Sequence, residues 1–126
     1  MPEAPLALIV EDDPTIRMLV GRSASRAGFA LAEASDLRSL EAALATAEPA
    51  LVVLDLTLGT LPPGELLAWL ARLGCAAPLL PLTGWGGPET TSLLDDWRQR
   101  GLQILPLVSK PVHLHALTEL LRHYLP

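Results

Sequence analysis

The chain predicts an α/β domain built on a doubly wound parallel sheet, and three observations carry that expectation. Five short apolar stretches recur along its 126 residues. Each is followed by a segment whose apolar residues return at helical spacing, the alternation that gives a parallel sheet covered on both faces. The chemically unusual residues, Glu11, Asp12, Asp13, Asp55, Thr83 and Lys110, all fall just at the carboxyl ends of those stretches. In such sheets these ends share one face, and ligands bind in the crevice beyond them.

The first strand is Leu6–Val10, which runs into the three acids. Pro14 suits the first turn of a helix, where its missing N–H has no partner to lose. Ile16, Leu19, Val20, Ser23, Ala24 and Ala27 continue at helical spacing, and Gly28 stops the helix. Residues 29–33 alternate apolar and small side chains as a second strand. Asp36 then caps a helix carrying Leu37, Leu40, Ala43, Leu44 and Ala47, which Pro49 ends. Residues 51–56, continuous in apolar character and bounded by Pro49 and the Gly/Pro-rich stretch 59–64, form a strand buried on both faces, with Asp55 at its end. A helix over 65–73 places Leu66, Leu67, Trp69, Leu70 and Leu73 on its apolar side, with Gly74 as its stop. Residues 78–82 give a fourth strand, 83–88 its loop, and 89–100 a helix closed by Gly101. The fifth strand spans 102–108 and is interrupted by Pro106, which a sheet tolerates only on an edge strand or at a bulge. After the loop Ser109-Lys110-Pro111, a last helix over 112–124 buries Leu114, Leu117, Leu120 and Leu121.

Composition bounds the function. Half of the residues are hydrophobic, enough for one domain over 1–126 with a core of its own and too short a chain for two. The apolar runs are strand length, far below what a bilayer requires. The N-terminus carries no basic region before an apolar stretch, so a cytoplasmic protein is expected. Cys75 is the single cysteine; it has no disulfide partner and no second thiolate with which to hold a metal. A net charge of −5 with eight scattered arginines excludes a phosphate-binding surface of the nucleic-acid kind. Lys110 is the only lysine. A chain that otherwise uses arginine has kept a compact ammonium at that one position.

Alone, Asp55 reads as a turn cap; with its neighbours it suggests chemistry. Carboxylates gathered in one pocket repel each other and require a cation. Oxygen ligands of this kind suit Mg²⁺, held by a few carboxylates, waters and phosphate oxygens. With that ion and Lys110 neutralising the charge, Asp55 can attack a phosphoryl group as a carboxylate nucleophile and form an acyl phosphate. The Thr83 hydroxyl could donate to a phosphoryl oxygen, and Gly84 leaves room for the group to enter.

Leu8-Ile9-Val10-Glu11-Asp12-Asp13-Pro14, Val53-Leu54-Asp55-Leu56, Leu82-Thr83-Gly84 and Ser109-Lys110-Pro111 occur in that order, and across essentially its whole length the chain resembles the receiver domains of two-component response regulators. The resemblance implies a (βα)5 flavodoxin-like fold with strand order 2-1-3-4-5. It implies that Glu11 and Asp12 bind Mg²⁺ together with Asp55 and the Thr57 carbonyl. It further implies that Asp55 is the phosphoacceptor, Thr83 the switch hydroxyl and Lys110 the phosphoryl-binding lysine. The partners implied are a histidine kinase or histidine phosphotransfer protein and a downstream protein, with homodimerisation open and with neither nucleic acid nor membrane bound directly. The chain departs from the family in three places. The loop 57–64 lacks the usual proline four residues past the acceptor and is one residue longer before its glycine. The stretch from Thr83 to Lys110 is also longer, and Leu107 stands where the family often has an aromatic switch residue.

Such a protein is not a turnover enzyme: its reactions are phosphoryl transfer to its own Asp55 and loss of that group. Two other readings stand beside it. A haloacid-dehalogenase-type phosphatase also has an aspartyl nucleophile after a strand, but it needs a second aspartate two residues on, where this chain has Thr57. Against a receiver-like interaction domain that is never phosphorylated stand Glu11, Asp12, Asp55, Thr83 and Lys110 together, while the altered loops and Leu107 leave that reading open. Trp85 either shields the phosphoryl group or packs on the fourth helix, while Trp69 and Trp97 read as packing residues. His113, His115 and His123 lack metal spacing and read as exposed or capping. Arg17, Arg22 and Arg26 line an exposed face of the first helix, through which receivers commonly dock a kinase. No output domain is expected after Tyr124, which leaves a stand-alone regulator or a piece of a longer protein.

Overall fold

The computed structural model describes residues 3–84 and 86–126. Its strands are β1 Leu6–Val10, β2 Ala30–Ala34, β3 Leu51–Asp55, β4 Leu79–Thr83 and β5 Val108–Ser109. The helices are α1 Pro14–Ala27, α2 Leu37–Thr46, α3 Pro63–Arg72, α4 Pro88–Gln99 and α5 Leu114–Arg122. All strand pairs are parallel and the sheet order is β2-β1-β3-β4-β5, as the resemblance implied.

Strand side chains alternate between faces, and the core divides accordingly. Leu8, Val10, Val52, Leu54 and Leu79 meet Leu40, Leu66, Leu67, Leu70 and Leu94 of α2, α3 and α4. Ala7, Ile9, Leu51, Val53, Leu80 and Leu82 meet Val20, Ala24, Leu117 and Leu121 of α1 and α5. Burial on both faces explains why β3 is apolar at successive positions and not at alternate ones; all five of its residues are buried. The carboxylate that ends β3 is therefore held by a rigid central strand.

Helix starts follow local hydrogen bonding. Asp13 accepts from the N–H groups of Thr15 and Ile16 at 2.8 and 3.2 Å and so caps α1, while Asp36 and Ser39 form a reciprocal capping box on α2. Gly28 ends α1 at φ 119°, a left-handed conformation that glycine adopts without strain. Several element boundaries shift by one or two residues from those the sequence predicts. β2 starts one residue later, because Phe29 is a buried plug before the ladder begins. α3 starts two residues earlier, at Pro63, and α5 loses two residues at each end. Thr83 closes β4 instead of opening its loop.

The largest difference is at the fifth strand. Only Val108–Ser109 pair as a ladder, and Ile104 makes a single bridge to Leu79. From Ile104 to Val108 is four positions, against three from Leu79 to Leu82, so one extra residue lies between the two contacts. This is a bulge around Pro106 on an edge strand, and both conditions under which proline is tolerated hold together. Side-chain parity changes across it: Ile104 and Leu107 pack with the α2–α4 core, Leu105 and Val108 with the α1–α5 core.

Candidate functional site

The carboxyl ends of β1, β3, β4 and β5 bring Glu11, Asp55, Thr83 and Lys110 to one end of the sheet. Glu11 follows β1 directly, and its N–H donates to the Ala34 carbonyl at 3.1 Å, extending the β1–β2 pairing. Asp55 pairs with Leu82 in the β3–β4 register. The Lys110 N–H donates to the Thr83 carbonyl at 2.8 Å, which ties the last loop to the end of β4. Glu11, Asp55 and Thr83 are buried, and Asp12 is exposed on the rim.

The Lys110 ammonium lies between the two buried acids. Its Nζ is 3.2 Å from Glu11 Oε2 and 3.4 Å from Asp55 Oδ1, and it donates to Glu11 Oε1 at 3.3 Å. Glu11 Oε2, although in ion-pair range of that ammonium, is buried and accepts no hydrogen bond among the described residues. Burial, and then the neighbouring Asp55 carboxylate, push the Glu11 pKa up against the opposing pull of Lys110. At Lys110 burial works to lower the pKa, but Asp55 and Glu11 together overcome it and the ammonium is held above its ordinary value. One ammonium thus serves two buried carboxylates, and the pocket keeps an excess of negative charge.

Glu11, Asp12 and Asp55 each offer a carboxylate oxygen, all within 4.8 Å of one another. Glu11 Oε2, which accepts no hydrogen bond among the described residues, and the oxygen-only donor set fit a hard divalent cation. The Asp12 carboxylate also accepts from the Gly59 N–H at 3.3 Å, linking the β1 and β3 loops. Asp13, which stands in the same acidic run, is spent on capping α1.

A family model for the response regulator receiver domain matches residues 7–122. The chain belongs to that family. No curated protein matches it. Among solved structures, this receiver domain is similar to a chemotaxis response regulator of Vibrio cholerae, with 22% identity over 98% of this chain and 100% of that one, at a TM-score of 0.79. It is similar to a receiver domain protein of Methanospirillum hungatei, with 21% identity over 96% and 93% of the two chains, at 0.78. A response regulator of Burkholderia pseudomallei, with a phosphorylated aspartic acid, calcium ion and citrate, is 21% identical over 89% and 63%, at 0.71. Among the described residues no helix of the receiver is long and apolar enough to cross a membrane.

Two contacts of the receiver site go beyond the sequence reading. Thr57, expected to contribute its carbonyl, also donates to Asp55 Oδ1 through its hydroxyl at 2.8 Å and its N–H at 2.9 Å. Threonine two residues after an aspartate is a local turn pattern, and that spacing was the available signal. Arg17, expected on an exposed face with Arg22 and Arg26, is half-buried and donates to the Glu11 carbonyl at 2.9 Å. Trp69 and Trp97 pack against the α2–α4 core, and the three histidines are exposed. Trp85 lies outside the described residues.

Proposed function

We propose that this receiver domain accepts a phosphoryl group on Asp55 from a phosphohistidine of a histidine kinase or histidine phosphotransfer protein, in a Mg²⁺-dependent reaction in the cytoplasm. Partner binding changes with the modification, toward a downstream protein or a second copy of the chain. The observation that carries this reading is the buried Asp55 carboxylate at the end of β3, 3.4 Å from the only lysine in the chain. The phosphorylated aspartic acid described for the Burkholderia relative supports it by analogy.

In the proposed reaction a carboxylate oxygen of Asp55 bonds to phosphorus while the bond from phosphorus to the donor imidazole breaks, its electron pair returning to the imidazole nitrogen. Lys110 attracts the phosphoryl oxygens and keeps the acyl phosphate in place. The Thr83 hydroxyl donates to one of them, and the Thr57 hydroxyl and N–H orient the acceptor carboxylate. Glu11, Asp12, Asp55 and the Thr57 carbonyl would hold Mg²⁺, which when bound supplies positive charge to the phosphoryl oxygens. Water later hydrolyses the acyl phosphate in the same crevice, so the chain turns over no external substrate.

The test is intact mass after incubation of the wild type and Asp55→Asn with Mg²⁺ and a small phosphodonor. A single phosphoryl adduct on the wild type alone is the expected result. No adduct on either protein would remove the phosphoacceptor reading and leave a constitutive interaction domain.

A further inference from the structure

The β4–β5 seam lacks a backbone donor. Hydrogen bonds assign the sides of β4 by parity: the Pro78 and Leu82 carbonyls accept from β3, while Leu79 N–H, Leu79 C=O and Thr83 C=O face the fifth strand. Pro81 is an odd position, so the N–H it lacks is one that would have faced β5. The Leu79 N–H donates to the Gln103 carbonyl at 2.7 Å and the Leu105 N–H to the Leu79 carbonyl at 2.8 Å. Continued regularly, that ladder would satisfy the Leu105 carbonyl from position 81, where no N–H exists. Pro106, which follows, also carries none.

Arg98 of α4 fills the gap. Its Nη2 donates to the Leu105 carbonyl at 3.1 Å, its Nε to the Ile104 carbonyl at 2.8 Å, and its Nη1 is held by Asp95 Oδ1 at 2.7 Å. A planar guanidinium matches this three-acceptor arrangement and an ammonium does not. The clamp sits at the start of the bulge, and the bulge sets where Lys110 arrives. Without the extra residue, Leu107 would lie opposite Leu82, every following side chain would change faces, and Lys110 would sit one residue further past Thr83.

We infer that Arg98 is a positioning residue for the phosphoryl site: it stands in for the N–H missing at Pro81, holds the bulge at Pro106, and so fixes the register that brings Lys110 to Asp55. The catalytic half of this inference rests on the phosphoacceptor reading, whereas the register half does not.

Amide hydrogen exchange on the full chain separates the two. In Arg98→Met the Leu105 and Lys110 amides exchange faster by about tenfold, the worth of one charge-assisted hydrogen bond, while those of Val10 and Val53 keep their rates. Adduct formation on Asp55 slows in parallel. Adding Pro81→Ala to Arg98→Met supplies a backbone N–H at position 81 and restores both, a recovery that a purely packing role for Arg98 does not produce. Unchanged Lys110 exchange in Arg98→Met, uniform loosening of the whole sheet, or no recovery with Pro81→Ala would overturn the inference. A wild type that forms no adduct, with the exchange pattern intact, overturns the phosphoacceptor reading and with it only the catalytic half.

Discussion

At the residue scale the site is two buried carboxylates sharing one ammonium. Removing one member has opposite effects according to which is taken. Asp55→Asn leaves Glu11 and Lys110 as a neutral pair, and without added divalent cation the variant is expected to be more stable than the wild type by on the order of 1 kcal/mol. Lys110→Met leaves both carboxylates without a counter-charge and is expected to lose about 3 kcal/mol. Denaturant melts of the two variants check both signs, and a destabilised Asp55→Asn would mean that the carboxylates do not strain each other. The acids, Thr83 and Lys110 were legible in the sequence because each follows an apolar run. The family resemblance separated Asp12 from Asp13, but the capping duty of Asp13 was not legible until α1 was in place. The Thr57 hydroxyl was signalled only by its spacing from Asp55, because a side-chain contact two residues away depends on the turn that follows β3.

Elements were legible where a local rule decides them and obscured where a neighbour does. α1 and α2 begin at aspartates whose side chains meet the first N–H groups. The Ser39 backbone and side-chain hydrogen bonds hold the exposed Asp36 carboxyl below its ordinary pKa. A carboxyl lowered in the folded state contributes stability above its unfolded pKa, and that contribution is lost as pH falls through the folded value. Asp36→Ala is therefore expected to melt below the wild type at neutral pH, with the difference closing in acid below about pH 4; a gap independent of pH would show that the charge has no part in the cap. In the middle of α1, Gly21 leaves room for a methyl group, whose nearest neighbours would be Leu31 Cδ1 at 3.5 Å and Glu33 Oε1 at 3.6 Å. Gly21→Ala should raise stability by about 0.5–1 kcal/mol, read from the shift in denaturation midpoint. The fifth strand was the poorest reading because its form is set across the seam. An apolar run through Pro106 looks like one strand, but its pairing also depends on position 81 of β4, where proline offers no N–H.

For the whole molecule, the sheet divides the core into two clusters, with β1, β3 and β4 contributing to both. Alternation and composition predicted that arrangement because a strand covered on both faces has no solvent side to mark. Leu54, fully buried one residue before Asp55, makes the coupling of core and site testable: Leu54→Ala is expected to cost about 3 kcal/mol, measured by equilibrium unfolding. A loss below ~1 kcal/mol would mean that the α2–α4 cluster closes around the gap. The solitary lysine has a practical consequence of another kind. Growth on lysine labelled with nitrogen-15 at Nζ alone puts a single side-chain reporter nucleus into the molecule, and that nucleus sits 3.4 Å from Asp55 Oδ1. Its resonance can be followed without crowding from any other lysine, so a cation, a phosphoryl group or a docked partner entering the crevice would be visible in one peak.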